Sequence, residues 1–316
     1  MKAAALVVTL LCCTPVLAQT YPTKPIRILV GFTPGAGVDI AVRLIAPKMG
    51  ELLSQQIIVD NRPGAGGNVA AELGARAPAD GYTLLASGAP AAIAQTLYPK
   101  LGYDLLRDYE TVALIASVAQ LLVVHPSLPA RNLKDFVAVA KSGRNELTYA
   151  TTGAGSTPHL TAEMFKLSTG IRILQIPYRG TPPAMTDLVA GNVSFMFGNI
   201  LSVLPQVRNG RLRALAITSA KRSGITPNIP AIAETYAGFE SGSWYGLFAP
   251  TGTPRDALAR LHDAATRALQ TTEVREKFLA QGAELLSGTQ PEAQAYTRTE
   301  VTKWGNVVKA SGAKAE

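Results

Sequence analysis

Cysteine is almost missing from this chain. Among 316 residues the two copies, Cys12 and Cys13, adjoin near the N-terminus. The remainder can therefore build neither a disulfide framework nor a thiolate metal site. Histidine is nearly as scarce: His125, His159 and His262 stand far apart, at no metal-ligand spacing. Charged residues make up only 16% and aromatics 6%, and no Lys/Arg run interleaves with aromatics. That pattern argues against a nucleic-acid surface. Beyond the first residues no stretch is continuously apolar enough to enter a bilayer directly. Neither Gly-x-x-x-x-Gly-Lys-Ser/Thr nor Gly-x-Ser-x-Gly occurs, and Gly35-Ala36-Gly37 lacks the third glycine of a dinucleotide fingerprint. These gaps lead us to expect no metal, no cofactor and no catalytic residue.

What is present describes a compact globular chain, with 47% hydrophobic residues and a net charge of +8. The excess of Lys and Arg is scattered over separate segments, which supplies mild attraction for anionic solutes and little else. Met1 to Ala18 reads as a secretory signal: Lys2, then the apolar run Ala3 to Cys13, then Pro15-Val16-Leu17-Ala18 before Gln19. Cleavage after Ala18 would deliver the protein to the periplasm and remove both cysteines. An uncleaved anchor is the alternative. Lipid attachment at Cys12 is disfavoured, because Leu10-Leu11 are not the small residues such a signal prefers.

A strand-loop-helix pattern occurs twice. Ile26 to Phe32 leads into Thr33-Pro34-Gly35-Ala36-Gly37 and a helix opening near Val38-Asp39. Leu147 to Thr151 leads into Thr152-Gly153-Ala154-Gly155-Ser156-Thr157 and a helix opening near Pro158-His159. Glycines let a backbone turn sharply and approach a ligand, and a helix start offers unpaired N–H groups with partial positive charge. Two such ends suggest a small acid gripped from both sides.

Short apolar strands alternate with helical patterns, which argues for parallel sheets with right-handed crossovers. Further strands are expected at Gln56–Val59, Tyr82–Ala86, Ile173 onward, Val193–Phe197 and Arg213–Thr218, with helices from Val69, over Asp256–Gln270 and over Pro291–Val308. Val112 to Val124 is too long for an ordinary strand and reads as a crossing between lobes. Trp244 to Pro250 reads as the return. The expected division is residues 19–118 in lobe 1, 119–244 in lobe 2, and 245–316 back in lobe 1.

Pro25 to Gly35 with Asp39, Asp60-Asn61-Arg62-Pro63-Gly64-Ala65-Gly66-Gly67-Asn68, and Pro78-Ala79-Asp80-Gly81-Tyr82-Thr83-Leu84-Leu85 are long motifs in a characteristic order. With Pro177-Tyr178-Arg179-Gly180, Asp187-Leu188, Gly191 and Phe195-Met196-Phe197, the chain resembles the tripartite tricarboxylate transporter receptors, or Bug-type periplasmic binding proteins. The resemblance implies an α/β, two-lobe Venus-flytrap fold of the type II-like periplasmic binding protein kind, with two crossing segments at a hinge. It implies a monomeric receptor that captures a small carboxylate for a membrane permease, or for a sensor protein. It also implies that backbone amides, hydroxyls and waters hold the ligand, rather than arginine salt bridges. Candidate ligand contacts in the first half of the chain are Phe32, Thr33, Pro34, Gly35, Ala36, Gly37, Val38, Asp39, Ser87 and Gly88. In the second half they are Thr152, Gly153, Ser156, Thr157, Pro158, His159, Tyr178, Arg179, Gly180 and Asn199.

Three departures from the family pattern bear on the ligand. Gly31 stands where proline is common, Gly35-Ala36-Gly37-Val38-Asp39 replaces a Gly-Gly-Ala-Thr-Asp-like stretch, and Gly198-Asn199 replaces Asp-Asn. Loss of that carboxylate bears on ligand charge preference or cleft shape. Asp39 has two readings, a helix cap or a ligand contact. Ser156 and Thr157 can serve as cap and donor together, with Pro158 suited to the first helical turn. Arg179 could pair with a ligand carboxylate or hold its own loop. A hydrolase using Ser156 and His159 would need a general base and an oxyanion site, and no convincing set is present. An effector lobe pair of a transcription regulator would need a helix-turn-helix ahead of it, where a signal segment stands instead.

Overall fold

The computed structural model describes residues 21–143 and 147–315. The expected signal segment, residues 1–18, and its cleavage point lie outside the described residues. The first lobe is built on β1 (Ile26–Val30), β2 (Ile57–Asn61) and β3 (Thr83–Gly88), parallel and ordered β2-β1-β3. Helix α1 (Gly37–Leu53) follows β1, α2 (Asn68–Ala75) follows β2, and α3 (Ala89–Leu97) follows β3. Both faces of this sheet are covered, which is why β1 reads as an almost unbroken apolar run. Ile26, Ile28 and Val30 join the core on the α1 side, and Leu29 packs with Ala70 and Ala92 on the other. Burying each such side chain contributes about 1.5–3 kcal/mol.

The second lobe repeats the plan with β5 (Leu147–Thr151), β6 (Ile173–Pro177) and β7 (Phe195–Asn199), ordered β6-β5-β7 and parallel. Its helices are α4 (Leu133–Lys141), α5 (Thr157–Thr169), α6 (Thr181–Val189) and α7 (Ile200–Arg208).

Two long strands join the lobes. β4 (Tyr109–Val124) pairs antiparallel with β9 (Gly242–Pro250) from Tyr109 to Ala119. From Gln120 onward its partners are β7 and β8 (Arg213–Ile217) instead. The apolar run that looked too long for one strand is thus a single strand shared by two sheets. The chain then closes over the first lobe with α8 (Arg255–Gln270), α9 (Thr272–Ala280), β10 (Ala283–Leu285) and α10 (Gln290–Ser311), β10 pairing with β4.

Several boundaries differ from the sequence reading. β4 starts at Tyr109 rather than Val112, because the polar Glu110 sits at the sheet end, where its carboxylate accepts the Gly252 N–H at 3.2 Å. β2 runs to Asn61, whose side chain turns inward to the neighbouring loop. α4, α6, α7, α9 and β10 had no counterpart in that reading. α9 buries only Val274 and Phe278, one turn apart, which leaves little periodicity to detect.

Candidate functional site

The loop after β1 is shaped by a charge it does not expose. Ala36, the residue before α1, has no side-chain acceptor to cap the helix. Asp39 instead reaches back and accepts the Gly35 N–H at 2.9 Å, the Arg43 Nε–H at 2.9 Å and the Asn61 Nδ2–H at 2.9 Å. Asn61 also donates to the Phe32 carbonyl at 3.0 Å and accepts from Arg43. With Asp39 only 2% exposed, its carboxylate is consumed by these partners. It supports the loop from behind rather than capping the helix, and the main-chain N–H groups of Gly37 and Val38 keep no acceptor among the described residues.

The loop after β5 reaches a matching shape without charge. The Ser156 hydroxyl donates to the Gly153 carbonyl at 2.7 Å, and His159 Nδ1 accepts the Gly155 N–H at 3.2 Å. An accepting Nδ1 places the ring proton on Nε2. The Ser156 hydroxyl and His159 Nδ1 are thus each engaged by the loop backbone. Ser156 leaves α5 without a side-chain cap, as Ala36 leaves α1.

These two helix starts line one small cavity of about 40 Å³. Ala36, Gly37 and Val38 come from one lobe, and Ser156, Thr157 and Pro158 from the other. Asn199, at the end of β7, and Tyr245, on the crossing strand β9, also line it. Asn199 Nδ2 donates to Tyr245 Oη at 2.6 Å, while Asn199 Oδ1 caps α7 by accepting the Leu201 N–H at 3.1 Å. Ser243 donates to Thr157 Oγ1 at 2.9 Å, tying the same strand to α5. Burial pushes the Tyr245 phenol far above its ordinary value, so it stays a neutral donor. Gly37 is required by close approach: a Cβ there would collide with the Tyr245 hydroxyl and lie 2.7 Å from Asn199 Oδ1. None of the residues lining this cavity is charged. Its volume exceeds that of one water and suits a single carboxylate or a few waters.

A larger cavity of about 800 Å³ adjoins it and shares Phe32 and Thr152 as walls. Its walls come from five loops, including the glycine-dense turn Pro63 to Gly67 and the segment Pro177 to Gly180. The lobes touch across it. Tyr98 Oη donates to the Ala154 carbonyl at 3.1 Å, and a Cβ on Gly66 would strike that same carbonyl. Tyr178 donates to Asp187 at 2.7 Å, and Asn192 donates to the same carboxylate at 3.2 Å. Burial, aided by that bond, pushes the Tyr178 phenol up to about 12. The bond from Tyr178 in turn holds Asp187 below the usual carboxylate range.

Most of the expected contacts gather here. Phe32, Ala36, Gly37, Val38, Thr152, Ser156, Thr157, Pro158 and Asn199 line the inner cavity, and Thr33, Gly153, Tyr178, Arg179 and Gly180 the outer one. Pro34, Gly35, Asp39, Ser87, Gly88 and His159 line neither. Pro34 and Gly35 lie on the exposed outer side of their loop, and Asp39 and His159 hold loops from behind. Ser87 and Gly88 end β3 against β9, where a Cβ on Gly88 would collide with the Trp244 carbonyl.

Other wall residues escaped the sequence reading. The turn Pro63 to Gly67 and Ala154 carried a usable signal in their glycine density, Pro90, Thr181 and Met196 lie within three residues of expected contacts, and Tyr98, Ser243 and Tyr245 come from segments that held none. Two of the departures also resolve. A Cβ on Gly31 would lie 2.6 Å from Gly67 Cα, so this position lets two loops pack together. A Cβ on Gly198 would collide with Val203. Position 198 therefore faces α7 and not the cavity, and the missing carboxylate is a matter of packing.

Two α/β lobes joined by a pair of strands, with paired helix starts in the cleft between them, define a solute-binding receptor. Residues 41–313 match the pattern of the Tripartite tricarboxylate transporter family receptor, and the chain belongs to that family. It is 38% identical over 303 residues to Protein BugT of Bordetella pertussis, covering 95% of this chain and 93% of that protein. Among solved structures, it is similar to Rpa4515 of R. palustris with adipate, at 35% identity, a TM-score of 0.90, and coverage of 94% of this chain and 100% of that one. MatC from Rhodopseudomonas palustris with bound malate is 31% identical with a TM-score of 0.86, covering 91% of this chain and 100% of that one. Among the described residues no helix is long and apolar enough to cross a membrane.

Proposed function

We propose that the protein is a periplasmic receptor that binds a small organic carboxylate without turning it over and presents it to the permease of a tripartite tricarboxylate transporter. One observation carries this reading: Gly37 and Thr157, the first residues of α1 and α5, line the same uncharged cavity. A carboxylate there meets helix N-termini from two directions, with the Asn199 and Tyr245 side chains between them. Each hydrogen bond to a charged group contributes about 1.5–3 kcal/mol. A few such bonds, less the entropy of association, suffice for roughly micromolar affinity.

The finer parts of the reading follow from the same layout. Residues 1–18 are the export signal, cleaved after Ala18. Residues 19–118 and 245–316 form one lobe and 119–244 the other, with the change of strand partners after Ala119 marking the hinge. The ligand shell is drawn from the residues that line the two cavities. A thermal-shift screen of carboxylates on the secreted protein, followed by calorimetry on the hits, tests the assignment. Carboxylates should raise the melting temperature at micromolar to millimolar concentration. Stabilisation by neutral sugars or cations alone would overturn it.

A further inference from the structure

We infer that Gln120 is a built-in opener of the hinge. Its side-chain amide is stranded while the lobes are together, so the ligand-free receptor is biased towards an open form and ligand binding must offset that bias. Gln120 is fully buried, and neither its Oε1 nor its Nε2 has a hydrogen-bond partner among the described residues. Other buried polar atoms are left over singly, as at Thr33 Oγ1 and Trp244 Nε1, whereas Gln120 alone among the described residues strands two. A buried amide without partners loses the full free energy of its hydration, which is why such groups are rare in native interiors.

The position of Gln120 ties that loss to the movement of the lobes. β4 pairs with β9 as far as Ala119, opposite Gly242, and its next residue, Gln120, begins the pairing with β7 opposite Asn199. Rotation of one lobe against the other is absorbed where the partners change. The main chain of Gln120 cannot shift to relieve the side chain. Its N–H donates to Thr218 Oγ1 at 2.8 Å, and its carbonyl accepts the Thr218 N–H at 2.9 Å. The polar groups nearest in the sheet are committed elsewhere: Thr218 Oγ1 donates to the Ser241 carbonyl, and Asn199 is engaged with Tyr245 and the Leu201 N–H. A polar pocket of about 140 Å³ adjoins this point, with Ala119 and Ser241 in its walls. That volume holds water readily. Ile217 of β8 walls it on the side of the second lobe, and Glu284 of β10 and Glu300 of α10 on the side of the first. Rotation of the lobes therefore reshapes the pocket and admits water to the amide. With the lobes held together, as by the bonds from Tyr98 to Ala154 and from Ser202 to Gly35, the amide stays dry.

Small-angle scattering on the ligand-free proteins tests this with two apolar replacements of similar size, Gln120→Met and Gln120→Leu, and with Gln120→Glu at pH 8. Removing the stranded amide should raise the closed-to-open ratio about 10-fold, so both apolar variants should have a smaller radius of gyration than the wild type. Gln120→Glu places a charge that needs water more than the amide does and should give a larger radius. Calorimetry with adipate as the probe should show binding up to about 10-fold tighter for the apolar variants, through their larger closed population. The scattering needs no ligand, so it tests the inference whatever acid the receptor takes. Opposite shifts for the apolar and the charged replacements are not produced by a merely structural side chain. If both apolar variants melt lower with an equal or larger radius, the amide supports the hinge and the inference fails. It fails equally if the radii and melting temperatures of the apolar variants match those of the wild type.

Discussion

The loops on the two sides of the inner cavity reach one geometry by different chemistry. Phe32 to Ala36 is held by a charged network in which Asp39 accepts from Gly35, Arg43 and Asn61. Gly153 to Ser156 is held by neutral bonds it makes with itself and with His159. Both leave the following helix start uncapped by a side chain. The lesson is that the site specifies exposed N–H groups, and that the groups supporting each loop from behind are free to differ. Mutations in the supports should therefore be unequal, while mutations in the cavity wall should be severe on either side.

The largest effect is expected where the two halves meet. Gly37→Val places a side chain against Tyr245 and Asn199, filling the inner cavity and overpacking the hinge strand. We expect no measurable binding by calorimetry and a stability loss of about 1–3 kcal/mol. Retention of normal affinity would remove the inner cavity from the site.

The next effect separates the loops directly. Asp39→Ala strips the acceptor from three donors and leaves Arg43 without its anion. Because Arg43 is half exposed and can turn to solvent, we expect a loss of about 2 kcal/mol in urea denaturation rather than the larger figure for a fully buried pair. Ser156→Ala removes one neutral hydrogen bond and should lower stability by only about 1 kcal/mol. Equal losses for the two variants would show that the charged network contributes no more than the neutral one, and the contrast between the loops would collapse.

Much of this architecture was legible in the sequence, and the exceptions have physical causes. The two strand-loop-helix copies and the long crossing at Val112 to Val124 stood out because buried parallel strands and a shared hinge strand both demand continuous apolar runs. Ser87 and Gly88 line neither cavity. A strand ending in glycine before a helix resembles a third ligand loop, yet here the glycine admits the Trp244 carbonyl. Tyr245 was hidden for the opposite reason, since it lies within a strand assigned to crossing, and Ser243 because it stands just before that run, where the pairing of β9 brings it to α5. In the glycine turn at Gly64 to Gly67, open by sequence to a structural or a ligand-contact reading, nothing local shows that Ala154, far along the chain, comes to rest against it.

The smallest expected effect tests how the halves are coupled. Ser202, on α7 of the second lobe, donates to the Gly35 carbonyl of the first at 3.2 Å. This bond exists only while the lobes are together, and it touches neither cavity. Ser202→Ala should therefore leave overall folding unchanged and shift the balance toward an open form. An exposed hydrogen bond of this kind contributes about 0.5 kcal/mol, which lowers apparent affinity roughly twofold through the smaller closed population. Loss of a contact made only on closure should appear as faster ligand release, with the association rate nearly unchanged. Stopped-flow kinetics read these separately, and small-angle scattering should give a slightly larger radius of gyration for the ligand-free variant than for the ligand-free wild type. A variant with slower association and unchanged release would mean that Gly35 is positioned by Ser202 before the ligand arrives. In that case the first loop would depend on the second lobe as well as on Asp39, and the two halves of the site would not be independent.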